Sequence, residues 1–111
     1  MRTTMGGEPR MTFTTQLVLA AFLEDPEQER YGLEVCRVAD LPSGTVHPIL
    51  ARFEGLGWLE SRWEQVDPRE QGRPPRRYYR LTRQGAARAR AALARAHQPA
   101  TRLAWRPATG Q

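Results

Sequence analysis

Three stretches with different hydrophobic periods predict an α+β, mostly α fold: three helices, a two-stranded β-hairpin, then a further C-terminal helix. The first stretch is a stripe of Val46, Ile49, Leu50, Phe53 and Leu56 at i, i+3, i+4, i+7 and i+10, a spacing that a helix gathers on one side. The second is a switch to two-residue alternation in WLESRWEQ (58–65) and again in RRYYRLT (76–82), which suits paired strands. The third is RQGAARARAALARAHQ (83–98), rich in Ala and Arg and therefore high in intrinsic helix propensity.

The elements follow in order. Residues 1–11, with two glycines and a proline, carry no pattern and read as a disordered tip. Thr14 or Thr15 can cap a first helix that runs to about Glu24. Its stretch QLVLAAFLED is apolar nearly all round, so burial on more than one side is expected. DPEQER (25–30) reads as a loop, with Pro26 stopping the helix. YGLEVCRVAD (31–40) suits a short second helix whose apolar side is Leu33, Val35, Cys36 and Val38. In the turn LPSG, Pro42 bars continuation and Ser43 is a good N-cap for the third helix.

Opposite the third helix's apolar stripe lie Gly44, His47, Pro48, Ala51 and Gly55, with Arg52 on the flank, and Gly55 and Gly57 end the helix. In the hairpin, Leu59 and Trp63 share one side of the first strand, and Glu60, Arg62 and Glu64 the other. In the second strand Tyr79 and Leu81 face the core, with Tyr78 partly exposed. Trp58 and Trp63 read as packing residues. Between the strands VDPREQGRPPR has three prolines and a glycine, so no regular structure is expected there. Thr82 caps the last helix, and Pro99 is expected to end it. This divides the chain into a tip (1–11), a compact domain (12–82), a helix (83–98) and an irregular basic tail (99–111).

Composition narrows the functional classes. The chain has 111 residues, 40% of them apolar, enough for one modest core. The longest apolar run, Leu17 to Leu23, is far too short for a membrane span. MRTTMGGEPR has no apolar segment of the secretory type, and Cys36 is the single cysteine, so a reducing, cytoplasmic setting is expected. Cys36 sits among core residues and reads as an inert thiol. Residues 1–68 hold six arginines and eleven acids, whereas residues 69–111 hold eleven arginines and one acid. The formal charge of +5 is thus the sum of an acidic N-terminal part and a strongly basic remainder, a field that favours a polyanionic partner. All seventeen cations are arginine. Catalysis finds little support. His47 and His97 have no acid at metal-ligand spacing, and neither a phosphate-binding glycine loop nor a nucleophile elbow occurs. No enzyme activity, metal or cofactor is expected.

Two short helices at a tight turn, followed by a basic hairpin, form the winged helix-turn-helix layout, here with a C-terminal dimerisation helix. A helix enters the major groove only if its outer side is slim, and Gly44, Ala51 and Gly55 leave it so. Candidate contacts with double-stranded DNA are Ser43, Gly44, Thr45, His47, Pro48 and Arg52 on the helix, and Arg73, Arg76, Arg77 and Tyr78 on the wing. Arg69 belongs to the same loop. His47 can be a contact or simply an exposed residue. Pro48 can bend the reading face or be tolerated near the helix start. Arg83, Arg88, Arg90 and Arg95 read as solvated helix surface.

SGTVHPILARFEGLGWLE (43–60), GRPPRRYYRLT (72–82) and the following RQG (83–85) resemble the PadR family of bacterial transcriptional regulators. In that family a Gly-Thr-aliphatic-aromatic-Pro helix precedes a wing with Gly-Arg-Pro. The strand Tyr-Tyr-x-Leu-Thr follows, with a glycine three residues after the threonine. Residues 31–85 carry the likeness, and YGLEV fits the start of the family's second helix. At the position of His47 the family usually has tyrosine. The resemblance is to the short members, which lack a C-terminal helical domain. It implies a homodimeric repressor joined through N- and C-terminal helices, with room for a small hydrophobic effector between protomers.

The residues argue for a dimer on their own account. Ala86, Ala89, Leu93 and Ala96 make a shallow stripe on the last helix, and Leu103 and Trp105 lie just beyond it. Leu17 and Phe22 on the first helix need more cover than a three-helix core supplies. Trp105 could also line an effector site. The expected function is a sequence-specific regulator of transcription. The alternatives are a winged-helix module that binds an acidic protein, or an accessory protein that coats DNA without specificity.

Overall fold

The computed structural model describes residues 9–105, with side chains through residue 97. The first helix, α1, spans Phe13–Leu23. Its N-cap is Thr12, two or three residues before the expected Thr14 or Thr15; the Thr12 Oγ1 accepts from the Thr15 backbone N at 3.2 Å. Thr15 is instead buried, a role its position three residues into the helix allows. Val18, Leu19, Ala21 and Phe22 are buried, so α1 is covered on more than one side. Its first residue, Phe13, stays 73% exposed.

The segment 25–30 was expected to be loop throughout, but its end forms a strand, β1 (Arg30–Tyr31). Two residues are too few to show a period, and the pairing that makes them a strand is with residues almost fifty positions away. The buried Arg30 guanidinium reaches Glu24 and Glu34, at 3.3 and 3.2 Å, and ties β1 to the elements on either side. The second helix, α2, is Gly32–Ala39. It buries Val35, Cys36 and Ala39, while Leu33 and Val38, expected on its apolar side, are exposed. A helix this short can turn only one narrow face inward, and that face passes through Ala39. Asp40 ends it in the left-handed conformation, φ 58°.

After Leu41 and Pro42 comes α3, Ser43–Gly55. Pro42 is the N-cap, not Ser43, and no side chain caps the helix, so Ser43 occupies its first turn. Val46, Ile49, Leu50 and Phe53 are buried as the stripe demands; Leu56, past the helix end, is half-exposed. The strands β2 (Leu59–Trp63) and β3 (Arg77–Leu81) pair antiparallel, with Leu59 opposite Leu81 and Trp63 opposite Arg77. β1 adds to the free edge of β3, with Tyr31 opposite Tyr78, to give a three-stranded sheet ordered β1-β3-β2. Tyr79 and Leu81 are buried, Tyr78 is half-buried, and Trp58 lies in the core; Trp63 is 58% exposed. The loop between β2 and β3 holds one helical turn, α4 (Pro68–Gln71). Asp67 caps it, Pro68 starts it and Gly72 closes it at φ 68°, a start-and-stop grammar compressed into a segment expected to be irregular.

The last helix, α5, spans Arg83–Trp105 and continues past Pro99, where its end was expected. One proline removes one hydrogen bond and bends the axis, and the Ala- and Arg-rich turns before it favour the helix strongly. Thr82 accepts from the Gly85 backbone N at 2.8 Å and donates to the Gly57 carbonyl at 2.8 Å. A Cβ on Gly85 would stand 1.9 Å from the Trp58 carbonyl oxygen, which explains the glycine three residues after the threonine. This close approach docks α5 on the core.

Phe22, Phe53, Leu19, Leu50, Val18, Val35 and Val46 form the centre of that core, with the Phe53 and Trp58 rings 5.0 Å apart. Each such large side chain contributes about 1.5–3 kcal/mol on burial. Phe22, Ala86 and Ala89, expected at a contact between protomers, are buried inside the single chain, so they have little surface left for a second one. The reason is that α5 packs on α1 of its own chain. Leu17, Leu93 and Ala96 remain half-buried. The side chains of Leu103 and Trp105 lie outside the described residues, as do residues 1–8 of the expected tip and 106–111 of the expected tail. Among the described residues no helix is long and apolar enough to cross a membrane.

Candidate nucleic-acid interface

The stripe that pins α3 to the core leaves its opposite side to solvent. Ser43, Gly44, His47, Pro48, Ala51, Arg52 and Gly55 are exposed, and Thr45 is half-buried. Nothing lies within 4 Å of where a Cβ on Gly44 or Gly55 would point. The His47 Nδ1 is 3.0 Å from the Ser43 carbonyl oxygen. A carbonyl can only accept, so the ring donates through Nδ1, and in the neutral ring Nε2 is an acceptor. Nε2 faces Gly32 at the start of α2, so closely that a Cβ there would sit 2.9 Å away. Pro48 has no N–H to give the Gly44 carbonyl, which leaves that acceptor on the exposed side without its usual helical partner. Arg52 turns away from this face: its Nη2 donates to the Thr15 hydroxyl at 3.1 Å and its guanidinium lies 5.3 Å from the Phe53 ring centre.

The wing arginines divide into two groups. Arg73 donates to both Glu64 oxygens, at 2.7 and 3.2 Å. Glu64 also accepts from the Arg76 backbone N at 3.1 Å, and its own N–H donates to the Arg76 carbonyl at 2.7 Å. The Arg73 hydrogen bond above all, with that backbone N–H, holds the Glu64 carboxyl down to about 2. Arg77 donates to both Glu54 oxygens at 3.1 Å and to the Ser61 hydroxyl at 3.0 Å, so it ties the wing's root to the end of α3. Both arginines, expected to meet DNA, are engaged by carboxylates of the chain itself. Arg62 and Arg80 are likewise paired, with Glu29 and Glu60.

On α2 and the wing, among the described residues, Arg37, Arg69 and Arg76 have no carboxylate partner. Arg69 stands exposed on α4 at the wing's tip. Arg76 stacks on Tyr31, its guanidinium carbon 4.1 Å from the ring centre. Arg37 donates to the Tyr31 hydroxyl at 2.9 Å. Tyr31 also meets the edge of Tyr78, ring centres 5.7 Å apart. His47, Gly32, Tyr31, Arg76 and Tyr78 therefore form one continuous ridge from the exposed side of α3 to the root of the wing. Sequence reasoning found both ends of this ridge and missed its middle. Tyr31 and Arg37 carry no local signal, because what joins them to the wing is the β1–β3 pairing. Among the described residues no group of three or more His, Cys, Asp or Glu could hold a metal ion.

A slim exposed helix joined by such a ridge to an arginine-bearing β-wing defines a DNA-binding transcriptional regulator of the winged-helix class. The comparisons give the family. The model of the transcriptional regulator PadR-like family matches residues 21–91, and the chain belongs to that family. A PadR family transcriptional regulator from Eggerthella lenta DSM 2243 is 26% identical, with a TM-score of 0.64 over 80% of this chain and 79% of that one. Reduced AbfR, solved bound to DNA, is 29% identical, with a TM-score of 0.58 over 75% of this chain and 54% of that one. BpsR of Bordetella bronchiseptica shares the fold at 18% identity, with a TM-score of 0.64 over 89% of this chain and 68% of its own. Among curated proteins none matches the sequence.

Proposed function

We propose that this chain is a sequence-specific repressor of transcription that binds double-stranded DNA as a homodimer. The observation that carries the reading is the free outer side of α3, thin at Gly44, Ala51 and Gly55 and continuous with the wing through Tyr31. A helix of this profile seats in a major groove, with Ser43, Gly44, Thr45, His47 and Pro48 nearest the bases and phosphates. Arg76 and Arg69 then meet the backbone, while Arg73, Arg77 and Arg52 hold the wing and helix in shape from behind. Tyr78 supports Tyr31. AbfR, solved bound to DNA, supports DNA as the partner. The chain would work in the cytoplasm, where the DNA is.

The homodimer rests on exposed apolar surface. Phe13 is 73% exposed at the start of α1, and Leu93 is only half-buried on α5, which continues for about 18 Å beyond it at 1.5 Å per residue. Phe13, Leu17, Leu93 and Ala96, with Leu103 and Trp105, are the proposed contact. Two protomers would then read half-sites about ten base pairs apart. BpsR, regulated in its DNA binding by 6-hydroxynicotinic acid, is a precedent for a small effector, which here would sit between protomers beside Trp105.

A mobility-shift titration and footprint on the DNA upstream of the chain's own gene test the reading. Saturable binding in excess competitor, with a footprint of two related half-sites, is expected. Weak binding that ignores sequence would favour an accessory DNA-coating role, and absence of binding would favour a protein-interaction module.

A further inference from the structure

The ridge between helix and wing has a centre that no DNA-reading element claims. Tyr31 leaves β1 and enters α2, and its half-buried ring gathers two arginines from opposite parts of the fold. Arg76, from the wing, lies over the ring at 4.1 Å. Arg37, from the last turn of α2, donates to the hydroxyl at 2.9 Å and has its guanidinium carbon 5.9 Å from the same ring centre. The two guanidinium carbons can be no farther apart than those two distances laid end to end.

At that range two surface cations repel only weakly, and what sets this pair apart is that one ring holds both with no carboxylate beside them. Elsewhere on the wing, Arg62, Arg73, Arg77 and Arg80 each face a glutamate. Here a tyrosine face and a phenol oxygen hold two cations without neutralising either. A stacked guanidinium keeps its N–H fork in its own plane, free to bond outward. A phenol oxygen uses one donor of Arg37 and leaves the others. The chemistry that completes this arrangement is an anion with several acceptor oxygens, and on this ridge that is a phosphate of the DNA backbone.

We propose that Tyr31 is a positioning residue that builds, from Arg37 and Arg76, a phosphate clamp at the junction of α2 and the wing. The proposal rests on the DNA-binding reading and adds to it the residues that fix the wing's angle to the recognition helix. Because the clamp grips backbone, it acts on any duplex. Arg37 and Arg76 form it; Tyr31 acts through them.

The test uses the full chain and a fluorescein-labelled duplex of mixed sequence, with affinity measured by anisotropy across a salt series. Arg37→Ala and Arg76→Ala are each expected to weaken binding and to reduce the slope of log K against log salt by about 0.9. Tyr31→Phe keeps the ring under Arg76 but removes the acceptor of Arg37, and should weaken binding roughly two- to tenfold. Arg88→Ala, on the exposed side of α5, loses the same charge elsewhere and should leave the slope nearly unchanged. Thermal melts confirm that each variant folds. If the parent binds and the Arg37 and Tyr31 variants match it in affinity and slope, the clamp is refuted while the DNA-binding reading stands. An equal drop in slope for Arg88→Ala would refute it too, since net charge alone would explain the effect. If the parent binds no duplex at low salt, clamp and DNA-binding reading fall together.

Discussion

Gly32 and His47 meet edge on, and the fit allows no methyl group between them. A Cβ at residue 32 would lie 2.9 Å from Nε2 and 3.4 Å from Cε1 of the imidazole. Gly32→Ala should therefore push the ring off its seat, while the helix itself, given alanine in place of glycine, loses nothing in propensity. The expected result is a loss on the order of 1 kcal/mol of DNA binding, about fivefold, with an unchanged melting temperature. Anisotropy and calorimetry on the same preparation would check both halves. Undiminished binding would mean that the orientation of His47 does not matter. At this scale burial is legible in the sequence where it follows period. Tyr79 inside and Tyr78 partly out, or the clean division of α3, came from alternation and the 3.6-residue repeat. The partner of a charged side chain is not legible there. Arg73 and Arg77 look identical to Arg76 on paper, and only the positions of Glu64 and Glu54 separate them.

The wing is an element held by its neck. Glu64 takes the Arg73 fork and the Arg76 N–H, and its carboxyl lies at about 2 instead of 4.5. A carboxyl depressed by folding stabilises the folded wing above its ordinary value and loses that contribution as pH falls toward the lowered one. The wing should therefore keep its native neck from neutral pH to about pH 4.5 and loosen between there and about 2. Carbon-detected NMR of the Glu64 carboxyl would follow it directly, and a midpoint at the ordinary glutamate value would show that the Arg73 pair is not formed in solution. The pair is only partly buried, so the effect should be local and weakened by salt. The elements themselves were legible where periods were long. α5 starts where expected but runs on past Pro99 to Trp105, and α1, α3 and both long strands fell close to their expected places. β1 and α4 did not, since two residues and four residues are shorter than any period that could announce them.

For the whole molecule, the decisive fact is how much of the apolar surface one chain covers by itself. α5 lies on α1, which takes Phe22, Ala86 and Ala89 out of reach of a partner and leaves Phe13 in the open. A large exposed aromatic on the first helix is surface that a second copy can cover. Sedimentation equilibrium should find a dimer, and Phe13→Glu should raise its dissociation constant at least tenfold, about 1.4 kcal/mol, without unfolding the monomer. A parent that sediments as a monomer at micromolar concentration would refute the dimer.

The linear order of residues was enough to define the class: periods specify three helices, a hairpin and a further helix, and residues 31–85 resemble the family whose model matches residues 21–91. Periodicity is a property of neighbours along the chain, so it survives without coordinates. Which arginines remain free, and that Tyr31 joins the reading helix to the wing, only the folded molecule decided. Those facts depend on β1 finding β3 across almost fifty residues, and on carboxylates that the fold, not the sequence order, brings within reach.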